Sequence, residues 1–149
     1  MSYLPVARTI RRHGAHHADV DCTLDYEARF LRRRVIETST GEKVLVDLAK
    51  TESLDHGDAL ELSDGRVLGI AAAPEELLEI RGGDLVRLAW HIGNRHSPCQ
   101  IEAERLLIQR NHVMADMLGR LGATVTEVIE PFTPEGGAYG HGRTHGHAH

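Results

Sequence analysis

At 149 residues, with 41% apolar residues and a formal charge of −5, the chain can furnish one ordinary domain or two small ones with real cores. Its basic residues are scattered rather than massed, so nucleic acid and anionic membrane are poor partners. No stretch reaches the roughly 18 apolar residues of a membrane span and no export signal opens the chain, so the expected location is the cytoplasm. There Cys22 and Cys99, far apart in sequence, are expected to stay reduced.

From residue 3 to residue 70 the pattern favours short strands broken by turns. Segments 33–38 and 43–48 flank the turn residues Ser39, Thr40 and Gly41. The clearest hairpin joins 59–62 to 67–70 through Ser63-Asp64-Gly65-Arg66, where Asp-Gly can supply the positive φ angles of a tight turn and Leu60 and Leu62 face the core. The period changes after Ala71-Ala72-Ala73-Pro74, which places a domain boundary near residue 74.

Beyond that boundary, strand and helix patterns alternate. Residues 77–80 read as a strand, Gly82-Gly83 as a break, and Leu85, Leu88, Ala89 and Ile92 recur at helical spacing. Short strands at 100–103 and 106–108 precede a second helix with Val113, Met114, Met117, Leu118 and Leu121 on one side, Asn111 as its N-cap and Gly122 as its stop. A last strand at 123–129 completes a β-α-β-β-α-β order, the split βαβ arrangement of a ferredoxin-like domain. The expected fold is therefore α+β: an all-β domain over 1–73, a ferredoxin-like domain over 74–134, and a tail over 135–149. Beyond Pro131 the sequence offers almost nothing to bury, so a disordered tail is expected.

Histidine is the compositional outlier, with eleven copies against two phenylalanines and one tryptophan. His141, His145, His147 and His149 fall within the last nine residues, spaced by Gly, Arg, Thr and Ala. Imidazoles so close capture nickel, copper or zinc, and the interrupted run is unlike the continuous histidines of an expression tag. Gly93, Asn94 and Pro98 end the first helix and leave His96 at an exposed helix end. His91 lies roughly 140° around the helix from His96 and cannot share its metal on one continuous helix; a partly buried helix residue is its plainer reading. One chain thus supplies too few ligands, whereas a two-fold axis near His96 brings the same residue from two copies to one ion. His112, at the start of the second helix, is either an auxiliary ligand or simply polar at a helix N-terminus. Cys99 is first a small core residue, with thiolate ligation left open. His13, His16, His17 and His56 are expected at isolated surface positions of the β half.

Gly93-Asn94-Arg95-His96, preceded by Trp90-His91 and followed by Pro98, together with Glu130-Pro131-Phe132-Thr133-Pro134-Glu135-Gly136-Gly137-Ala138-Tyr139-Gly140 and the histidine-rich end, resembles the UreE family of urease accessory proteins over nearly the whole chain. Leu54-Asp55-His56-Gly57-Asp58 and Asp64-Gly65-Arg66 also look like that family. The resemblance implies a nickel metallochaperone rather than an enzyme. In that reading a β-rich domain binds peptide or partner, a ferredoxin-like domain binds metal and dimerises, and the homodimer can assemble further on metal binding. It also implies Ni2+ delivery to apo-urease with a GTPase partner, His96 as the interfacial ligand and His112 as an auxiliary one, while Arg110 cannot ligate as imidazole does. Zn2+ or Cu2+ can substitute by the Irving–Williams order. Because imidazole ligates only when deprotonated, affinity should fall as pH drops through roughly 6.

Three rivals remain. A hydrolase using His96 and His112 lacks the His-Glu-x-x-His pattern and a general base. A metal buffer would make the tail itself the functional part. An adaptor would use metal only to cement the dimer.

Overall fold

Val44, Val46 and Leu48 alternate with Lys43, Leu45 and Asp47, and a period of two turns one set of side chains inward. In the computed structural model, which describes residues 4–136, those three are buried. The chain divides into two compact units, Met1–Ala73 and Pro74–His149.

The first unit is all-β apart from one 3₁₀ turn at Ala15–His17. Its strands are β1 (Val6–Arg11), β2 (Val20–Leu24), β3 (Phe30–Glu37), β4 (Lys43–Ser53), β5 (Ala59–Leu62) and β6 (Val67–Ala72). They form one sheet in the order β2-β6-β5-β1-β4-β3. β1 with β4 and β2 with β6 run parallel, and the other neighbours antiparallel. The core gathers Ile36, Val44, Val46, Leu60, Leu68 and Ile70 with the Cys22 side chain.

The β5–β6 hairpin forms where the turn residues predict, with a different turn. Only Gly65 has positive φ, at 91°. Its N–H donates to the Leu62 carbonyl and Leu62 N–H donates to the Arg66 carbonyl, so the loop is a three-residue turn closed by a left-handed glycine. β4 continues past residue 48 to Ser53, across a register shift opposite β3 between Leu31 and Arg33. Asp58 is fully buried, yet both its oxygens are used: Arg12 and the Asp55 N–H donate to Oδ2 at 2.8 Å, and the His13 N–H donates to Oδ1 at 3.1 Å. A buried carboxylate so paired is tolerated.

The second unit runs β7 (Pro74–Arg81), α1 (Leu85–Asn94), β8 (Cys99–Ile101), β9 (Leu106–Gln109), α2 (His112–Arg120) and β10 (Thr124–Pro131). This is the β-α-β-β-α-β order read from the periodicities. The antiparallel sheet has the order β10-β7-β9-β8, so β9 lies between β7 and β8, the strands that α1 connects. Leu88 and Ile92 of α1 and Met114 and Leu118 of α2 pack with Leu78, Ile80, Leu106 and Ile108. Val113, expected on the buried side of α2, is instead 50% exposed; it precedes the first residue that can reach the sheet.

A larger correction concerns the segment after Pro131. Phe132 is fully buried, the Thr133 N–H donates to Gln100 Oε1 at 2.8 Å, and the Glu135 N–H donates to the Cys99 carbonyl at 2.9 Å. The chain is therefore fastened to the second unit beyond its last strand. No helix among the described residues is long and apolar enough to cross a membrane.

Candidate metal site

Helix α1 opens on Asp84, whose carboxylate accepts the Arg87 N–H at 3.2 Å, the usual satisfaction of an orphan N–H in a first turn. It buries Leu88 and Ile92 and leaves Trp90 63% exposed, with the His91 ring edge-on to the indole at 5.0 Å. His91 is half-buried.

At the other end of α1 the backbone closes on itself. The Arg95 N–H donates to Ile92 and the His96 N–H to Gly93, and the Ser97 N–H returns to Ile92. This closure puts His96 in the left-handed region, at φ 57°. Glycine is the default residue at such a helix end because a Cβ there costs roughly 1–2 kcal/mol. An exposed imidazole occupies it instead. Left-handed residues other than glycine cluster at functional sites, and His13 is the other non-glycine residue with positive φ among the described residues.

His112 is the first residue of α2 and is exposed. Asn111 caps the helix, its side chain accepting from Val113 and Met114 at 2.9 and 3.2 Å. With Leu78, Arg110, Asn111, Ala115 and Glu127, His112 lines an open cavity of about 360 Å³. Arg110 is held there: it donates to the Leu77 carbonyl at 3.1 Å and the Val128 carbonyl at 3.0 Å. Arg110 also pairs with Glu76 at 3.5 Å, and the Glu127 carboxylate lines the same cavity.

Cys99 is half-buried against the helix-covered core. Burial, and then the nearby Glu135 charge, push its thiol up to about 11. It is a protonated packing residue at neutral pH, as its core reading had it. Cys22 lies fully buried with its thiol raised to about 11 by burial.

Among the described residues, no three His, Cys, Asp or Glu side chains gather closely enough to hold an ion. The predicted tail ligands His141, His145, His147 and His149 lie outside the described residues. The fastening of Glu135 to Cys99, three residues after His96, was not read from sequence. Its one available signal was Phe132, one of only two phenylalanines, an aromatic that rarely goes unburied without reason.

The chain thus joins a β-rich unit to a β-α-β-β-α-β unit that exposes His96 at the end of α1 and His112 at the start of α2, the two-unit architecture of a urease accessory protein. Residues 2–73 match the UreE urease accessory protein N-terminal domain, and residues 75–149 match the UreE urease accessory protein C-terminal domain. The chain belongs to the UreE family. It is similar to the urease accessory protein UreE of Ruegeria pomeroyi, 64% identical over 148 residues covering 98% of this chain and 99% of that protein. The UreE of Cereibacter sphaeroides is 54% identical over 100% of this chain and 82% of its own length. That of Paracoccus denitrificans is 52% identical over 95% and 90%.

Proposed function

We propose that this chain carries Ni2+ as cargo during urease maturation, holding the ion at a homodimer interface through His96 of both copies and handing it to apo-urease in company with the urease accessory GTPase. The observation that carries this reading is the left-handed, exposed His96 at the end of α1. A single chain offers no three-ligand group among its described residues, which favours a ligand set shared between two copies. An interface built this way leaves coordination positions open. The tail histidines His141, His145, His147 and His149 complete it, since the chain is fastened at Glu135 beside the segment that carries His96. Open positions let an acceptor replace ligands one at a time.

In this reading the ferredoxin-like unit over 74–134 binds metal and dimerises, the β-rich unit over 1–73 meets protein partners, and the work is done in the cytoplasm. Zn2+ and Cu2+ compete in vitro, because the ligand type alone does not select nickel. His112, exposed at the start of α2, is the auxiliary ligand in this reading.

Calorimetric Ni2+ titration of the full chain beside His96→Ala, with molecular mass followed throughout, tests the proposal. Loss of the tightest event in the variant, at one ion per two chains in the parent, is the expected result. A tightest event untouched by His96→Ala but removed by truncation after Tyr139 would instead support a metal buffer. The four histidines of the last nine residues are the observation in favour of that second reading.

A further inference from the structure

The first unit carries four histidines, and their hydrogen bonds sort them. His56 accepts the Ala72 N–H on Nδ1 at 3.0 Å, so that nitrogen is already engaged. His16 is arranged the opposite way: its Nδ1 lies 3.0 Å from the His13 carbonyl oxygen. A carbonyl can only accept, so Nδ1 is the protonated nitrogen of the neutral ring and Nε2 carries the lone pair. This is the orientation that metal-bound histidines adopt, one ring N–H given to a backbone carbonyl and the other nitrogen left for the ion.

His17 stands beside it, with ring centroids 4.0 Å apart and planes tilted by 49°. Both side chains are exposed. Two imidazoles bound side by side on one ion, at metal–nitrogen distances of about 2.0–2.1 Å, keep their centroids about 4.5–5 Å apart, a spacing that the adjoining rings reach by moving about 1 Å apart.

The segment that bears the pair is held from several sides. The His13 N–H donates to the buried Asp58, the Ala15 N–H to the Gly57 carbonyl at 3.0 Å, and the Asp19 N–H to the Val67 carbonyl at 2.8 Å. Gly69 of β6 lets the segment approach, for a Cβ there would stand 2.9 Å from the Ala18 Cβ. His13 itself is left-handed, at φ 60°, and it is the residue whose carbonyl orients His16. The backbone beneath the pair and the His16 ring are thus held in place, which reduces the ordering that binding must impose.

We propose that His16 and His17 form a second metal site, on the β-rich unit, for borderline divalent ions such as Ni2+, Cu2+ and Zn2+. Two imidazole nitrogens hold the ion and water fills the remaining positions. With two protein ligands, the site is weaker than the one proposed at His96, exchanges rapidly, and takes up ion only after the tighter positions fill.

Amide NMR of the full chain, titrated with Ni2+ alone past saturation of its tight sites, reads this directly. Paramagnetic broadening centred on residues 13–18 and 56–58 is expected in the parent and absent from the His16→Gln/His17→Gln double variant, with the remaining spectrum and the tight event unchanged in both. Each single variant should weaken the late event at least tenfold. Absence of broadening there in the parent, its persistence in the double variant, or full retention in His17→Gln would overturn the paired site. The tight event is recorded in the same titration, so failure of the His96 proposal is distinguishable from failure of this one.

Discussion

The Glu135 N–H donates to the Cys99 carbonyl at 2.9 Å, which fixes the departing chain to the start of β8, three residues after His96. Two residues back along the chain, Thr133 is tied to the Gln100 side chain, whose Nε2 donates to Glu102 at 2.8 Å. Glu102 in turn accepts from Arg105, which also binds Glu130, two residues before Phe132. The exit of the tail is therefore built into the second unit on both sides.

Phe132→Ala is expected to destabilise this unit by about 3–5 kcal/mol, the usual cost of emptying a buried aromatic site, because its side chain is fully buried. Truncation after Gly136 should leave stability within about 0.5 kcal/mol, since the sequence removed is rich in Gly and His and offers almost nothing apolar to bury. Urea denaturation of the two variants checks the contrast. Equal stability of Phe132→Ala and the parent would show that the segment is not fastened in solution.

His96→Gly should raise stability by roughly 1 kcal/mol, because glycine tolerates the φ of 57° that histidine occupies at a cost. A gain of that size shifts the melting temperature upward by about 4 °C. The same variant should lose the tightest nickel event, as His96→Ala does. Thermal unfolding and nickel titration of one preparation measure both. A lowered melting temperature would mean that the imidazole contributes more to the fold than its backbone costs.

Signals confined to a few neighbouring residues were legible in the sequence. Asn111 and Gly122 delimit α2 as their capping chemistry implies, Gly122 at φ 92°, and Leu60 and Leu62 turn inward from their alternation. The parallel pairings of β1 with β4 and of β2 with β6 were not legible, because they depend on which distant strands meet. Phe132 was misread for the same reason: one aromatic after a strand has no period, and what buries it lies elsewhere in the chain. For the candidate site, Gly93, Asn94 and Pro98 announced an exposed His96. Its left-handed backbone could not be foreseen, since that conformation ordinarily belongs to glycine. His16 and His17 were expected to be isolated; both are on the surface, yet their rings adjoin.

Both thiols should resist alkylation at neutral pH, because burial pushes Cys22 and Cys99 up to about 11 and the thiolate is the reacting form. The sign for stability follows from the raised values. The folded state favours the neutral thiol, so nothing is lost below the unfolded value of about 8.5, and stability declines as pH rises from there toward 11. Iodoacetamide labelling of native and urea-unfolded protein at pH 8 should differ by at least tenfold in rate. Comparable rates would place a thiol in an open, electropositive setting that the structure does not contain.

Arg105 should make the second unit sensitive to acid. It donates to Glu79 at 2.9 Å, Glu102 at 2.9 Å and Glu130 at 2.7 Å, and its side chain is only 17% exposed. Hydrogen bonds from Arg81 and then Arg105 hold Glu79 below the ordinary carboxylate range, and the bond from Arg105 does the same for Glu130. A lowered carboxylate value contributes stability that is present above the unfolded value of about 4.3 and lost as pH falls through the folded one. Arg105→Gln leaves three carboxylates facing one another and should cost on the order of 2 kcal/mol at pH 7, a figure kept small by the partial exposure of Glu102 and Glu130. As pH falls from 7 toward 3 the carboxylates begin to protonate, those of the variant before the lowered ones of the parent, and the difference should shrink once the parent's follow. Urea unfolding at the two pH values measures both. A penalty that persists undiminished at pH 3 would assign the role of Arg105 to packing of its aliphatic stem rather than to its charge.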